Sequence, residues 1–488
     1  MSVPNPSAEN GLDRLLSPWA SSLRLKYALL ALIVVLCAFG NLPWTLDEYD
    51  QAKQAYVSYE ISTGGDWLYQ HVPRGGSATK PPLAAWIALG VQRATGSWDL
   101  AWRLPGFLST LVLLGLLIRE GNRILPAGGA VLAAAAFGVN FLTPRISTLV
   151  RTDMMLTLWI FLAGWLIYRK VRDNVRWTSN ERWLFFAAML AALMTKGPII
   201  YAFLSPGMVA FALLAPKERR RLVWSGWWTW LGPLAIFVAW GVYGILTHRE
   251  FYEDVVVREF FSRFDQSLKA HERQQPLWFY LPHLIHKFLP WSLLLIAIPI
   301  ASANARRAIR ERPEVLWLAC WAAGGLLCMT FIPSKRVDRI FPVIPPFCLL
   351  LVALVAACQC GRRIRTWTGA AIAFAVVFWG AYFAGIIWLG YQDKIDHLVV
   401  LGKTVRSLAA PASPAIVNAN DEGLVLYADG GRFLSPESAA QLWDQAKINA
   451  LLVPESALPA FGPLPPPALV APGKRESRYF LFLRPPRP

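Results

Sequence analysis

Long apolar runs alternate with short, mostly basic polar segments along the first 391 of 488 residues. A helix of about 20 apolar residues crosses a hydrocarbon core of about 30 Å. On that measure the pattern predicts eleven spans, near 26–44, 101–118, 127–143, 153–168, 183–196, 198–216, 223–246, 284–303, 314–332, 340–358 and 369–391. The apolar piece 82–91 is too short to cross and predicts a helix lying along the membrane surface. After residue 391 the pattern changes. Short apolar runs at 415–417, 424–427, 450–453 and 479–483 predict strands, and 436–448 predicts a helix with Ser435 at its N-cap. The stretch 459–472 is rich in proline and predicts a loop. The expected fold is a polytopic α-helical membrane protein of about 11 spans, residues 1–391, followed by a small α/β domain, residues 392–488.

Composition sharpens this picture. The chain is 55% hydrophobic and only 16% charged, whereas soluble domains carry about 25% charged residues. The formal net charge of +17 would suit nucleic acid. Its distribution excludes that partner, because the basic residues form clusters between apolar runs, at Arg119 and Arg123, 169–176, 217–221, 306–312 and 362–365. All fall on one side of the expected topology, the positive-inside pattern of a cytoplasmic face. Arg14, Arg24 and Lys26 precede the first run in the charge order of a signal peptide. The run is too long for one, however, and has no small-residue cleavage site. The expectation is an uncleaved first span with a cytoplasmic N-terminus and, after an odd number of spans, a C-terminus on the outer side. The six cysteines lie in or at the ends of apolar segments, which speaks against a disulfide framework.

Charge on the outer side is where chemistry is expected, since ionisable groups at a membrane face are costly. Asp47-Glu48 follows the first span, and paired carboxylates there suit activation of a hydroxyl acceptor. Lys80 precedes Pro81-Pro82, which hold it out of the helical region. It reads either as a point charge for phosphate or as a lysine reaching for the headgroups. Arg151-Thr152-Asp153 opens the fourth span, where Asp153 reads equally as a helix cap. Arg145 and Arg151 suit a phosphate. Lys196 lies in a Gly-Pro turn at the outer face, as a substrate contact or a structural charge. Arg258, Arg263 and His271 sit in an aromatic-rich outer loop. Lys335, Arg336 and Arg339 are positive where the positive-inside rule disfavours them, which points to an anionic ligand. No metal-ligand spacing and no nucleotide fingerprint is present, so neither a divalent metal nor another cofactor is supported.

Taken in order, these motifs resemble the GT-C membrane glycosyltransferases that use polyprenyl-phosphate sugars. The likeness is greatest to bacterial relatives of the protein O-mannosyltransferases and of the lipid A aminoarabinose transferase. It covers roughly residues 42–346 and rests on Asp47-Glu48, Gly65-Asp66-Trp67, Lys80-Pro81-Pro82-Leu83, Arg151-Thr152-Asp153 and Thr195-Lys196-Gly197-Pro198. The segments 258–264 and 276–280, Leu289-Pro290-Trp291-Ser292 and Ser334-Lys335 continue it. The resemblance implies Asp47 as the catalytic carboxylate and Asp153 as the second acid of the site. Lys80, Arg263 and Lys335 would hold the lipid phosphate. Glu48, Arg151, Lys196, Arg258, His271 and Arg339 complete the expected substrate contacts. The implied donor is a polyprenyl-phosphate sugar, and the implied acceptor is lipid A or lipopolysaccharide, another envelope glycan or a protein. The implied place is the bacterial inner membrane, with the site facing the periplasm. Thr79 stands where aminoarabinose transferases tend to have Glu, and Phe260 where they often have His. Both departures leave sugar and acceptor open. A transporter or lipid flippase is the competing class. It would bury its charges near the midplane of repeated halves, and no such repeat is visible.

Overall fold

The computed structural model describes residues 23–42, 44–46, 49–126, 128–261, 275–358, 361–389, 398–417, 423–431, 433–473 and 478–484. They form two compact units. One comprises Met1–Asn41, Arg103–Leu246 and Val256–Ala381, and the other Leu42–Trp102, Thr247–Val255 and Tyr382–Pro488.

The first unit is helical. A helix stands at each of the eleven expected positions, from Leu23–Phe39 to Gly361–Phe383. Five helices are long and apolar enough to cross a membrane among the described residues, six if one bent pair forms a single span. The expected span 284–303 is that pair. Tyr280–Lys287 and Trp291–Ala301 are separate helices, and the two arms of the pair meet at 103°. Pro290 lies at the break, where its ring and missing N–H end a helix. Close packing in this unit relies on small residues. A Cβ on Gly207 would lie 2.7 Å from the Trp321 Cα, and one on Gly324 would lie 2.6 Å from the Gly207 nitrogen. Glycine at both places lets Ile199–Leu214 and Pro313–Phe331 approach backbone to backbone. The helix Ser179–Lys196 opens on a capping box of Thr178 and Glu181, and Glu181 also takes the ammonium of Lys170. That closes two orphan amides at one end of the helix and leaves Lys196 at the other.

The second unit is built on a five-stranded sheet in the order β2-β1-β3-β5-β4. The strands are β1 (Ala415–Val417), β2 (Phe433–Leu434), β3 (Ala450–Pro454), β4 (Leu469–Pro472) and β5 (Arg478–Leu483). β2, β1 and β3 are parallel, while β5 runs antiparallel to β3 and β4. Side chains alternate between faces, as strand pleating requires. Leu452, Tyr479 and Leu481 enter one core, and Leu451, Val453 and Phe482 the other. The second core is covered by Pro436–Asp444, whose N-cap Ser435 accepts from the Ser438 amide as expected. The first is covered by Leu398–Ala409, by Gly423–Ala428, and by Tyr56 of the helix Tyr49–Ser62. Residues 392–488 thus share a core with the segment that follows the first span.

Two local expectations are corrected. The run 424–427 is helical, in Gly423–Ala428, with Leu424, Val425 and Ala428 buried. A four-residue apolar run does not carry enough periodicity to tell a turn of helix from a strand. The proline-rich loop 459–472 ends in β4, an edge strand whose terminal Pro472 needs no ladder amide. The expected surface helix near 82–91 is Leu83–Thr95, whose buried Ala84, Ala85, Ala88 and Leu89 make one apolar face. Ala85 and Leu89 pack on Val57 and Ile61 of Tyr49–Ser62.

Candidate functional site

In the first unit the structure brings together residues far apart in sequence. Asp153 is the first residue of Asp153–Asp173 and is 3% exposed. It is not the helix cap. Thr152 holds that position and makes no side-chain capping bond. The Asp153 carboxylate instead receives the Lys196 ammonium, delivered from the end of Ser179–Lys196. Arg151, just before the same helix, donates to Asp338 Oδ2 at 2.6 Å. Arg336 Nε approaches Asp338 Oδ1 at 3.5 Å. The positive cluster read from sequence at 335–339 therefore has a carboxylate within it, and that carboxylate takes up Arg151. Asp338 was missed by reading only the cations of Ser334-Lys335-Arg336-Val337-Asp338-Arg339. A lone acid among the three cations of that segment was the available signal.

Lys335 differs from its neighbours. It is 9% exposed, its Nζ donates to the Gln275 carbonyl at 3.4 Å, and no carboxylate pairs with it among the described residues. Burial holds its pKa below the ordinary lysine value, as desolvation disfavours the charged form. An anion beside it would favour the ammonium. Arg339 is turned onto Ser334, donating to its hydroxyl at 2.8 Å and to its carbonyl.

The other expected site residues fall elsewhere. Lys80 belongs to the second unit, half-buried in a bend before Pro81-Pro82 and the helix Leu83–Thr95. Asp47, Glu48, Arg263 and His271 lie outside the described residues. Arg258 contributes backbone to the helical segment Tyr252–Phe260, and its side chain is likewise outside the description. The aromatic outer loop joins the second unit through its first part. Asp254 accepts from the Ser77 amide at 2.9 Å, and the His248 ring lies 4.5 Å from that of Tyr69. His71 is bound twice by Glu60, through its amide at 2.6 Å and its Nδ1 at 2.8 Å. That hydrogen bond raises the imidazole pKa above its usual value. Among the described residues no group of three or more His, Cys, Asp and Glu is placed to hold a metal ion.

Residues 79–243 match the dolichyl-phosphate-mannose-protein mannosyltransferase family. Over 77% of the chain, the sequence is 26% identical to the undecaprenyl phosphate-alpha-4-amino-4-deoxy-L-arabinose arabinosyl transferase of Pectobacterium atrosepticum. It is 27% identical to the transferase of the same name in Pectobacterium carotovorum, again over 77% of the chain. The chain spans about two thirds of the length of these relatives, 66% and 68%. The crystal structure of ArnT from Cupriavidus metallidurans bound to undecaprenyl phosphate superposes with a TM-score of 0.65 at 17% identity, covering 93% of this chain and 97% of that one. The fold is therefore that of ArnT, and the chain is related to the GT-C glycosyltransferases that use polyprenyl-phosphate sugars.

Proposed function

We propose that the protein is an inner-membrane glycosyltransferase that moves a sugar from a polyprenyl-phosphate donor to a periplasmic acceptor. The observation that carries this reading is the likeness to arabinosyl transferases over 77% of the chain. Donor and membrane lipids approach from the bilayer, and the acceptor, lipid A or another envelope glycan or protein, from the aqueous side. Asp47 takes or orients the acceptor hydroxyl proton while the oxygen attacks the anomeric carbon with inversion. The bond to the lipid phosphate breaks, and its charge is stabilised by Lys80, Arg263 and Lys335. Lys335 suits that part because it is buried with no carboxylate partner among the described residues. Glu48, Arg258, His271 and Arg339 serve as substrate contacts. The transporter reading is not favoured, since the matched relatives are named as transferases.

The test is transfer in nanodiscs, with undecaprenyl phosphate-linked 4-amino-4-deoxy-L-arabinose and undecaprenyl phosphate-mannose offered separately, and lipid A or an envelope protein extract as acceptor. Mass spectrometry should find acceptor gaining one sugar from one of the donors. No transfer from either overturns the reading. With the accepted donor, Lys80→Ala should weaken donor binding and slow single turnover, because charge on the phosphate grows as the sugar leaves. Lys80→Arg should recover only part, since a planar guanidinium is not a compact ammonium. An unchanged single-turnover rate in Lys80→Ala would remove the lysine from the phosphate site.

The proposal also requires eleven spans and a definite orientation. The basic clusters at 217–221 and 362–365 should be cytoplasmic, and residues 402–488 periplasmic. Cysteines introduced near residue 462 should react with an impermeant maleimide once the outer membrane alone is opened. Labelling that requires a breached inner membrane would contradict a periplasmic site.

A further inference from the structure

The segment leading to Asp47 is held from the far end of the chain. Leu46 is 2% exposed, and its amide donates to the Tyr427 hydroxyl at 2.6 Å across 381 residues of sequence. Four residues earlier, the Leu42 carbonyl accepts from the Tyr382 hydroxyl at 3.2 Å. Residues 44–46 have no regular structure, so no neighbouring turn of helix fixes this amide. Beneath it lies Gly423. A Cβ there would stand 3.1 Å from the Leu46 carbonyl oxygen and 3.4 Å from the Tyr427 ring. Gly423 and Tyr427 belong to one short helix, Gly423–Ala428, whose Leu424, Val425 and Ala428 are buried in the core against the sheet. Just beyond it, Asp429 accepts from the Tyr59 hydroxyl at 2.6 Å and is approached by Arg406 at 3.3 Å. The short helix is therefore fixed on both sides, by the sheet core and by Tyr59 of Tyr49–Ser62, the helix that begins just after Asp47-Glu48.

We propose that Tyr427, with Gly423 beneath it, is a positioning residue for sugar transfer. The C-terminal α/β fold sets the place of the Leu46 backbone, and Leu46 directly precedes Asp47 in the sequence. The inference rests on Asp47 acting as the base. A domain that served only to cap the protein would need its apolar core against the sheet. It would not need a hydroxyl aimed at the one amide preceding an acid. General-base catalysis is sensitive to placement, and a shift of about 1 Å can cost about a hundredfold in rate. Loss of one hydrogen bond at a segment still held by Tyr382 should cost less, on the order of tenfold.

The experiment uses the full chain in nanodiscs, with lipid A and undecaprenyl phosphate-linked 4-amino-4-deoxy-L-arabinose, or the mannose donor if that is the one accepted. Tyr427→Phe removes only the hydroxyl. Gly423→Ala keeps the hydroxyl but presses on Leu46. Each should lower kcat on the order of tenfold, leave the donor KM nearly unchanged, and leave the unfolding temperature at the wild-type value. In an Asp47→Asn background, Tyr427→Phe should cause no further loss, because the two residues then act as one unit. A wild-type kcat in folded Tyr427→Phe overturns the proposal. So does the same proportional loss in the Asp47→Asn background. If Tyr427→Phe does not fold, Gly423→Ala decides by the same readouts. Asp47→Asn alone separates the two levels. Full turnover in that variant means that the base assignment, and the positioning role with it, has failed. A dead Asp47→Asn beside a normal Tyr427→Phe means that only the positioning role has failed.

Discussion

Asp47→Asn should lower turnover about 10²–10⁴-fold, the usual worth of a general base, while the protein stays folded. The substitution keeps the size and most of the hydrogen-bonding capacity of the side chain and removes its basicity. The expectation rests on the position of Asp47 directly after the first apolar run and on the way the chain before it is held. Leu46 is buried and its amide is fixed by a tyrosine of the C-terminal fold. The competing acid, Asp153, has one carboxylate oxygen already occupied by the Lys196 ammonium, which leaves it poorly placed to take a proton from an acceptor. Single-turnover rates and thermal unfolding of Asp47→Asn, Glu48→Gln and Asp153→Asn measured side by side would settle the order. Near-normal turnover in Asp47→Asn would move the base to Glu48 or Asp153, or out of carboxylate chemistry.

The helical part of the fold was legible because membrane crossing imposes a length and an apolarity that few other structures need. The expected runs 153–168 and 314–332 became Asp153–Asp173 and Pro313–Phe331 with small changes at the ends. What hydropathy could not supply was direction. The run 284–303 is apolar throughout, yet Pro290 divides it into arms at 103°. The α/β part was read correctly where a short apolar run forms a strand between two cores, as in β3 and β5. It was misread at 424–427, where a turn of helix and a strand look alike. The partnership of the sheet with Tyr49–Ser62 was not readable at all, since nothing local in Tyr56 names a partner more than 300 residues away.

The site was legible in its residue types and less so in its pairings. Asp153 and Lys196 were each singled out, one as an acid and the other as a substrate contact, with no sign that they would meet. Arg151 and the cations at 335–339 were read as waiting for an anion, and the structure supplies one from within the cluster, Asp338. Sequence shows which charges a membrane face carries. Which of them neutralise each other depends on helix packing, here of Asp153–Asp173 against the segment Val337–Val343. Among the described residues Lys335 pairs with the Gln275 carbonyl and Arg339 with Ser334, neither with a carboxylate.

The pairing of Asp153 with Lys196 carries the second large effect. The two side chains are 5% and 12% exposed. Lys196→Met keeps the length and much of the volume of the lysine but leaves the Asp153 carboxylate buried without its cation. Removing one partner of a buried pair costs about 3–5 kcal/mol, so the unfolding temperature of Lys196→Met in detergent should fall sharply. Adding Asp153→Asn should restore most of the loss, because an amide carries no charge to desolvate. The double variant then separates two roles for Asp153. If the acid serves only to join the helix start at Asp153 to the helix end at Lys196, the double variant should be both stable and active. If Asp153 works on substrate as the second acid of the site, the double variant should be stable and turn over at least 10²-fold more slowly. An unfolding temperature unchanged by Lys196→Met would show that the ion pair does not hold these two helices together. Lys196 would then stand as a ligand-facing charge, and its effect should appear in donor affinity instead.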